Sequence, residues 1–235
     1  MKNYDDALID KPRIGCYRIA TRRRMFGLFA SMLAVVCSFS VKVAATDVAF
    51  WKRYESDKHT YALTHFDDET LTVADGHLAD GTTNGNVSFS ADGKFGGAAM
   101  FAGDGVVRFE PAGSYDRRYL SVEAWIYFHR YPSGEAVVVS RPGGKNMSKG
   151  VQLYIDDGGR VHFRSHNMQG RTDVVSSGQG SVIPLKEWVH VAGFIGHFPN
   201  HFIALYMNGH EVVRRGTDAT LSRSAESRPS SIYVG

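Results

Sequence analysis

The 235-residue chain is 43% hydrophobic and 22% charged, enough apolar material for one sizeable core and too much for a disordered chain. Its formal charge of +3 belongs to the N-terminus: residues 1–45 hold eight Lys or Arg against three Asp, leaving 19 basic and 21 acidic residues beyond. A body this close to neutral, with no basic stripe interleaved with aromatics, excludes nucleic acid as the expected partner.

In chain order, Arg22, Arg23 and Arg24 precede MFGLFASMLAVVCSFSV, an apolar run from Met25 to Val41, followed by Lys42 and Val43-Ala44-Ala45. A cationic stretch, a short apolar centre and small residues before a cut describe an export signal, so residues 1–45 are expected to be a leader and the rest secreted or periplasmic. The triple arginine also resembles a twin-arginine signal, with ordinary secretion the expected route. Left uncleaved, the run would be a short anchor and the expected contact with a membrane. Cys16 and Cys37 are the two cysteines and both fall in the leader, so the body is expected to carry no disulfide. Residues 46–59 read as a linker and residues 60–235 as the domain.

From Tyr61 onward the pattern is strands: YALTHF (61–66), NVSFS (86–90), AAMFA (98–102), GVVRFE (105–110), LSVEAWIYFH (120–129), EAVVVS (135–140), VQLYI (151–155), RVHFRSH (160–166), TDVVSS (172–177), EWVHVAGFI (187–195), HFIALYM (201–207), HEVVRR (210–215) and the terminal SIYVG. Short alternating runs divided by Gly, Asn and Asp are the signature of a sandwich or barrel. Asn208-Gly209 suits a type I′ hairpin turn, and Asp156-Asp157-Gly158-Gly159 a similar reversal. In VHFRSH, Val161 and Phe163 face one way while His162, Arg164 and His166 face the other, a strand with one wet face. The glycine-rich stretch 91–110 is not a phosphate loop, because no amphipathic helix follows GKFGG. Gly103-Asp104-Gly105 is expected to be a hairpin turn with AAMFA and GVVRFE as its arms.

DGKFGGAAMFAGDGVVRF, LSVEAWIYF, EWVHVAGFI and ALYMNGHEVV, in that order, resemble the laminin-G-like or pentraxin-like group of the concanavalin A-like lectin/glucanase superfamily. The resemblance covers Tyr61 to Gly235 and implies an all-β fold, a two-sheet antiparallel jelly-roll sandwich, in exported proteins that bind glycans, proteins or calcium. The group commonly closes with a further strand pair, and the sequence stops at Ile232-Tyr233-Val234-Gly235 before one, so a C-terminally truncated domain with poor solubility is expected.

Function has to be read from residues, since this fold serves lectins and glycosidases alike. Retaining glucanases place two carboxylates about 5 to 5.5 Å apart, whereas Ser121-Val122-Glu123-Ala124-Trp125-Ile126 offers one. Glu123 is therefore expected to be a hydrogen-bonded structural acid, and Trp125 and Trp188 core residues. No Gly-x-Ser-x-Gly elbow marks a nucleophile, and the pairs His162/His166 and His197/His201 lack a third zinc ligand. The candidate ligand-binding residues are Tyr154, Arg164, His166 and Asn167, and the candidate ligands for Ca²⁺ are Asp67, Asp68 and Asp104, among loop acids that include Glu69, Asp75 and Asp80. The expected function is non-catalytic, calcium-assisted recognition of a carbohydrate or an extracellular protein, the alternatives being a glycoside hydrolase or lyase of the same fold and a structural adhesion module without glycan binding.

Overall fold

The computed structural model describes residues 13–20, 53–73, 75–76, 78–111, 120–143, 149–166, 171–196, 201–217 and 231–235. They form β1 (Arg13–Ala20), β2 (Thr60–Thr64), β3 (Asp75–Gly76), β4 (Leu78–Ser90), β5 (Ala98–Pro111), β6 (Leu120–Tyr127), β7 (Ala136–Gly143), β8 (Lys149–Ile155), β9 (Val161–His166), β10 (Thr172–Ser176), β11 (Trp188–Gly196), β12 (Phe202–Met207), β13 (His210–Gly216) and β14 (Ile232–Val234). Every strand pairing among them is antiparallel.

One layer runs β10-β9-β8-β7-β14-β5-β4 and the other β6-β11-β12-β13, extended past β6 by β1, β2 and β3. The expected jelly-roll sandwich is thus what the chain builds. Alternation dictates the packing between layers. On β6, Leu120, Val122, Ala124 and Ile126 point into the main core, and on β9 so do Val161 and Phe163. Phe163 is fully buried, which alone is worth about 1.5–3 kcal/mol against an exposed ring. It reaches across to β11, where a Cβ built on Gly193 would overlap its ring; the glycine there is the hole that receives the knob.

The turns are set by local chemistry. Asn208 and Gly209 both have positive φ, 47° and 77°, which is the type I′ hairpin read from the sequence. The segment 91–97 joins β4 to β5, with Gly93 N–H donating to the Gly96 carbonyl at 2.6 Å. A Cβ at Gly97 would run into the backbone of Phe66 and Asp67, so glycine is needed where this loop meets the segment after β2.

The hairpin expected at Gly103-Asp104-Gly105 is not formed. β5 runs straight through as a 14-residue strand, and the register against β4 slips there, Asn84 facing Val106 and Asn86 facing Ala102. Gly103 has φ +64°. This is a bulge, and its position explains it: beyond it Val107–Phe109 pair with β14 in the first layer, whereas Ala99 and Met100 before it pair with β1. A strand passing from one layer towards the other needs such a corner. The first half of β4 gave no periodic signal because it is an exposed edge, its burial alternating nowhere over residues 79–86.

β1 lies within the segment expected to be the leader. Its backbone sits between β2 and β6, with Arg18 in register opposite both Leu63 and Glu123, so β2 and β3 join the second layer through it. The apolar run Met25–Val41, the cut after Ala45, Cys37 and Trp51 lie outside the described residues. Trp125 is buried as expected, but on the opposite face from the main core, in a smaller cluster with Leu63, Tyr54, Phe95 and the half-buried Trp188.

Because Gly193 accommodates a fixed, fully buried ring, Gly193→Ala is expected to cost about 1–3 kcal/mol, read as a lower midpoint in urea unfolding. An unchanged midpoint would show that the layers are not interlocked at this point.

Candidate functional site

The outward face of β8 and β9 collects most of the polar residues singled out by sequence. Tyr154 and His162 are cross-strand partners, their rings stacked 4.7 Å apart at 8°. The Arg164 guanidinium lies 4.4 Å from the Tyr154 ring centre, donates from Nε to Gln152 Oε1 at 2.5 Å and from Nη2 to Glu135 Oε2 at 3.0 Å. His166 at the end of β9 bonds through Nδ1 with Thr172 Oγ1 at 2.7 Å. Period-two geometry puts Arg164 and His166 on one face, as read from the sequence, and the β8–β9 register brings Tyr154 to the same face, while Asn167 lies outside the described residues.

The expectation fails for one of them. Tyr154 is only 6% exposed, with imidazole stacked on its ring and guanidinium over it, so it offers no open platform for a sugar. Burial, foremost, raises the pKa of its phenol. Burial and then the neighbouring Arg164 lower that of His166, favouring its neutral form. The groups left to meet a ligand are Arg164, Glu135, Gln152 and His166.

Three residues of this face were not read as a unit from the sequence. Asp156, in the turn between β8 and β9, accepts from the Arg160 Nε at 2.7 Å, from the backbone N–H groups of Gly158 and Arg160 at 3.0 and 2.9 Å, and from His162 Nε2 at 3.0 Å. Burial works to raise its pKa, but these donors outweigh it and hold the carboxyl at about 2. On its other side, His162 Nδ1 meets Ser176 Oγ on β10 at 2.7 Å. A cross-strand partner is invisible to local pattern; the signal available was the turn acid followed by histidine on the wet face.

The calcium reading places Asp67 and Asp68 on a pocket of about 250 Å³ lined by Arg53, Thr64, His65, Phe66 and Leu71 among others. Two of these, Phe66 and Leu71, hold positive φ of 54° and 52° without being glycine, a backbone that costs energy to maintain. Both acids already have protein partners. Asp67 is ion-paired with Arg53 and accepts from Gly97 N–H at 3.1 Å, donors that hold its pKa down against the opposing effect of burial. Asp68 accepts the N–H of Thr70 at 2.9 Å. Asp104 lies in the bulge beside Gly85 and does not line that pocket. Among the described residues no group of three or more His, Cys, Asp or Glu is gathered as a metal site requires.

On the outer face of the other layer, Glu123 accepts from His190 Nε2 at 3.2 Å and from the Tyr54 hydroxyl at 3.5 Å. His190 is 3% exposed, and Trp125 lies 5.5 Å from it. Lys94 from the 91–97 loop covers Trp125 with Nζ 4.8 Å from the ring centre. Glu123 is thus hydrogen-bonded beside buried aromatic residues, as the sequence suggested.

A two-layer antiparallel sandwich with a polar strip on one outer face defines a class of β-sandwich domains. The model of the concanavalin A-like lectin/glucanases superfamily matches residues 101–232, more than half of the chain, which belongs to that superfamily. No curated protein sequence matches it. Solved structures of similar fold include the receptor binding domain of botulinum neurotoxin C/D mosaic serotype (TM-score 0.56, 15% identity, 74% of this chain and 42% of that one). The binding domain of botulinum neurotoxin DC in complex with SialylT (0.52, 15%, 69% and 39%) and that of Paraclostridial Mosquitocidal Protein 1 (0.52, 11%, 74% and 47%) are also similar. The chain spans less than half the length of each.

With a folded pKa of about 2 against an ordinary 3.8, Asp156 contributes stability that is complete above pH 4 and is lost as pH falls through 2. Asp156→Asn is expected to lower the unfolding free energy at pH 7 by about 2 kcal/mol, with the difference from the parent closing by pH 2. Urea unfolding across that range checks both the size and the sign.

Proposed function

We propose that the chain is an exported recognition module that binds a carbohydrate or an extracellular protein through the outer face of β7, β8 and β9. The observation that carries this reading is the row formed by Glu135, Arg164 and Gln152. Gln152 and Arg164 are cross-strand partners on β8 and β9, Glu135 meets Arg164 from the segment just before β7, and Arg164 and Glu135 are 24% and 50% exposed. A guanidinium with five donors beside a carboxylate and an amide presents fixed donors and acceptors side by side, the chemistry that meets paired hydroxyls or a peptide backbone. Their rotamers are already locked by one another, so little ordering cost attends binding.

Two facts support the reading from outside the site. The superfamily includes lectins, and the similar solved folds are described as binding or receptor binding domains, one of them in complex with SialylT. Export is supported by the cationic and apolar order of residues 22–45, with the leader uncleaved in the form that keeps β1 between β2 and β6. Cleavage of glycosidic bonds is the less favoured alternative, since Glu123 is held by His190 and Tyr54 in a structural role. Calcium has no part in the binding proposed here.

A glycan array probed with the full chain, in calcium and again in chelator, tests this. Saturable binding is expected in both conditions, and Arg164→Ala is expected to weaken it at least about tenfold, or roughly 1.4 kcal/mol. Binding lost in chelator would return the acids near Asp67 to consideration. Binding indifferent to Arg164 would place the ligand elsewhere.

A further inference from the structure

The hydrogen bonds that join Asp156, His162 and Ser176 run in one line across three elements, the β8–β9 turn, β9 and the edge strand β10. Asp156 is ionised at neutral pH and can only accept, so the proton of the neutral imidazole resides on Nε2 and is donated to Asp156 Oδ2. Nδ1 then carries a lone pair, and the Ser176 hydroxyl donates to it. The histidine is held in that orientation by the stacked Tyr154 ring, and its side chain is 11% exposed against 14% for Asp156. Ser176 is exposed. An exposed hydroxyl, a shielded base and a shielded carboxylate in series are the parts of an activated nucleophile, which is recognised by geometry and not by chain order.

The backbone adds a further part. Ser177 N–H donates to the Val161 carbonyl at 2.8 Å, which makes Ser177 and Val161 a hydrogen-bonded pair. The next pair, Ser176 and His162, is therefore the non-hydrogen-bonded kind, with side chains close together. It follows that the Ser176 N–H is turned away from β9, towards the outer side of a strand that ends its layer. A backbone donor on the nucleophile's own residue is the kind of group an oxyanion requires.

We propose that Ser176, His162 and Asp156 form an acyl-transfer site for carboxylic esters. Ser176 Oγ attacks the ester carbonyl carbon while its proton passes to His162 Nδ1, and the carbonyl π pair moves onto oxygen. Collapse expels the alcohol, which takes the proton from His162, and leaves acyl-Ser176. Water, deprotonated by the same imidazole, releases the carboxylic acid and restores the serine. Arg160 is also bonded to Asp156 and holds the carboxylate in place beside the imidazole. The site is independent of the recognition reading and stands or falls separately from it.

The test is labelling of the full chain with a fluorophosphonate, in which Ser176 Oγ displaces fluoride from phosphorus, followed by peptide mapping. One adduct on Ser176 is expected, absent in Ser176→Ala and formed at least about 100-fold more slowly in His162→Asn. The pH profile of the parent protein decides the matter even if those variants do not fold. The groups that face the imidazole are Asp156 and Arg160 from the turn, Tyr154 from β8, Arg164 from β9 and, through Arg164, Glu135; Asp173 lies on β10. A rate that is not simply proportional to hydroxide is expected, because a group of the protein and not solvent hydroxide takes the serine's proton. Labelling spread over several serines, labelling absent, or a rate that climbs in proportion to hydroxide throughout would overturn the proposal.

Discussion

Everything else in this molecule depends on the burial of one face of each layer against the other. Phe163 of β9 sits over Gly193 of β11, and Leu153, Val161, Val189, Val191 and Leu205 complete the same apolar sheet of contacts. Because side chains in a strand alternate strictly, fixing Val161 and Phe163 inside fixes His162 and Arg164 outside. A one-residue slip of β9 would bury an arginine and expose a phenylalanine. The core thereby sets the position of every group on the outer strip, although it touches none of their polar atoms.

The outer strip has a different logic. Its charges are paired side by side, Arg164 with Glu135 and Arg160 with Asp156, so the face is polar without strong net charge. That suits contact with a neutral or weakly charged partner better than long-range capture of an ionic one. Tyr154 is the hinge between the two worlds. Its stem packs in the layer, and its ring supports both His162 and Arg164.

The sequence made the central strands plain, because β6, β8, β9, β11 and β12 are short apolar-rich runs bounded by turn residues, and β9 alternates inward and outward without interruption. It also made plain that Arg164 and His166 share a face. What it concealed was everything decided by non-local pairing. The bulge at Gly103 looks like a hairpin turn because glycines mark both, and only the change of partner from β1 to β14 along β5 distinguishes them. The two-residue β3 and the exposed half of β4 have no apolar face to read. Asp67 and Asp68 read as candidate cation ligands because turn acids and metal ligands are the same residues. Their use as acceptors for Arg53, Gly97 and Thr70 depends on segments distant in sequence or on local turn geometry. Ser176 and Asp156 lie twenty residues apart and meet only through the β9 strand between them.

Amide hydrogen exchange on the full chain tests the two-layer account most directly. The account predicts the slowest exchange in β6, β8, β9 and β11, flanked on both sides within their layers, and faster exchange in the terminal strands β10 and β13. Exchange in β8 and β9 as fast as in the connecting loops would contradict it, because no interlocked core would then exist to hold the outer strip in place.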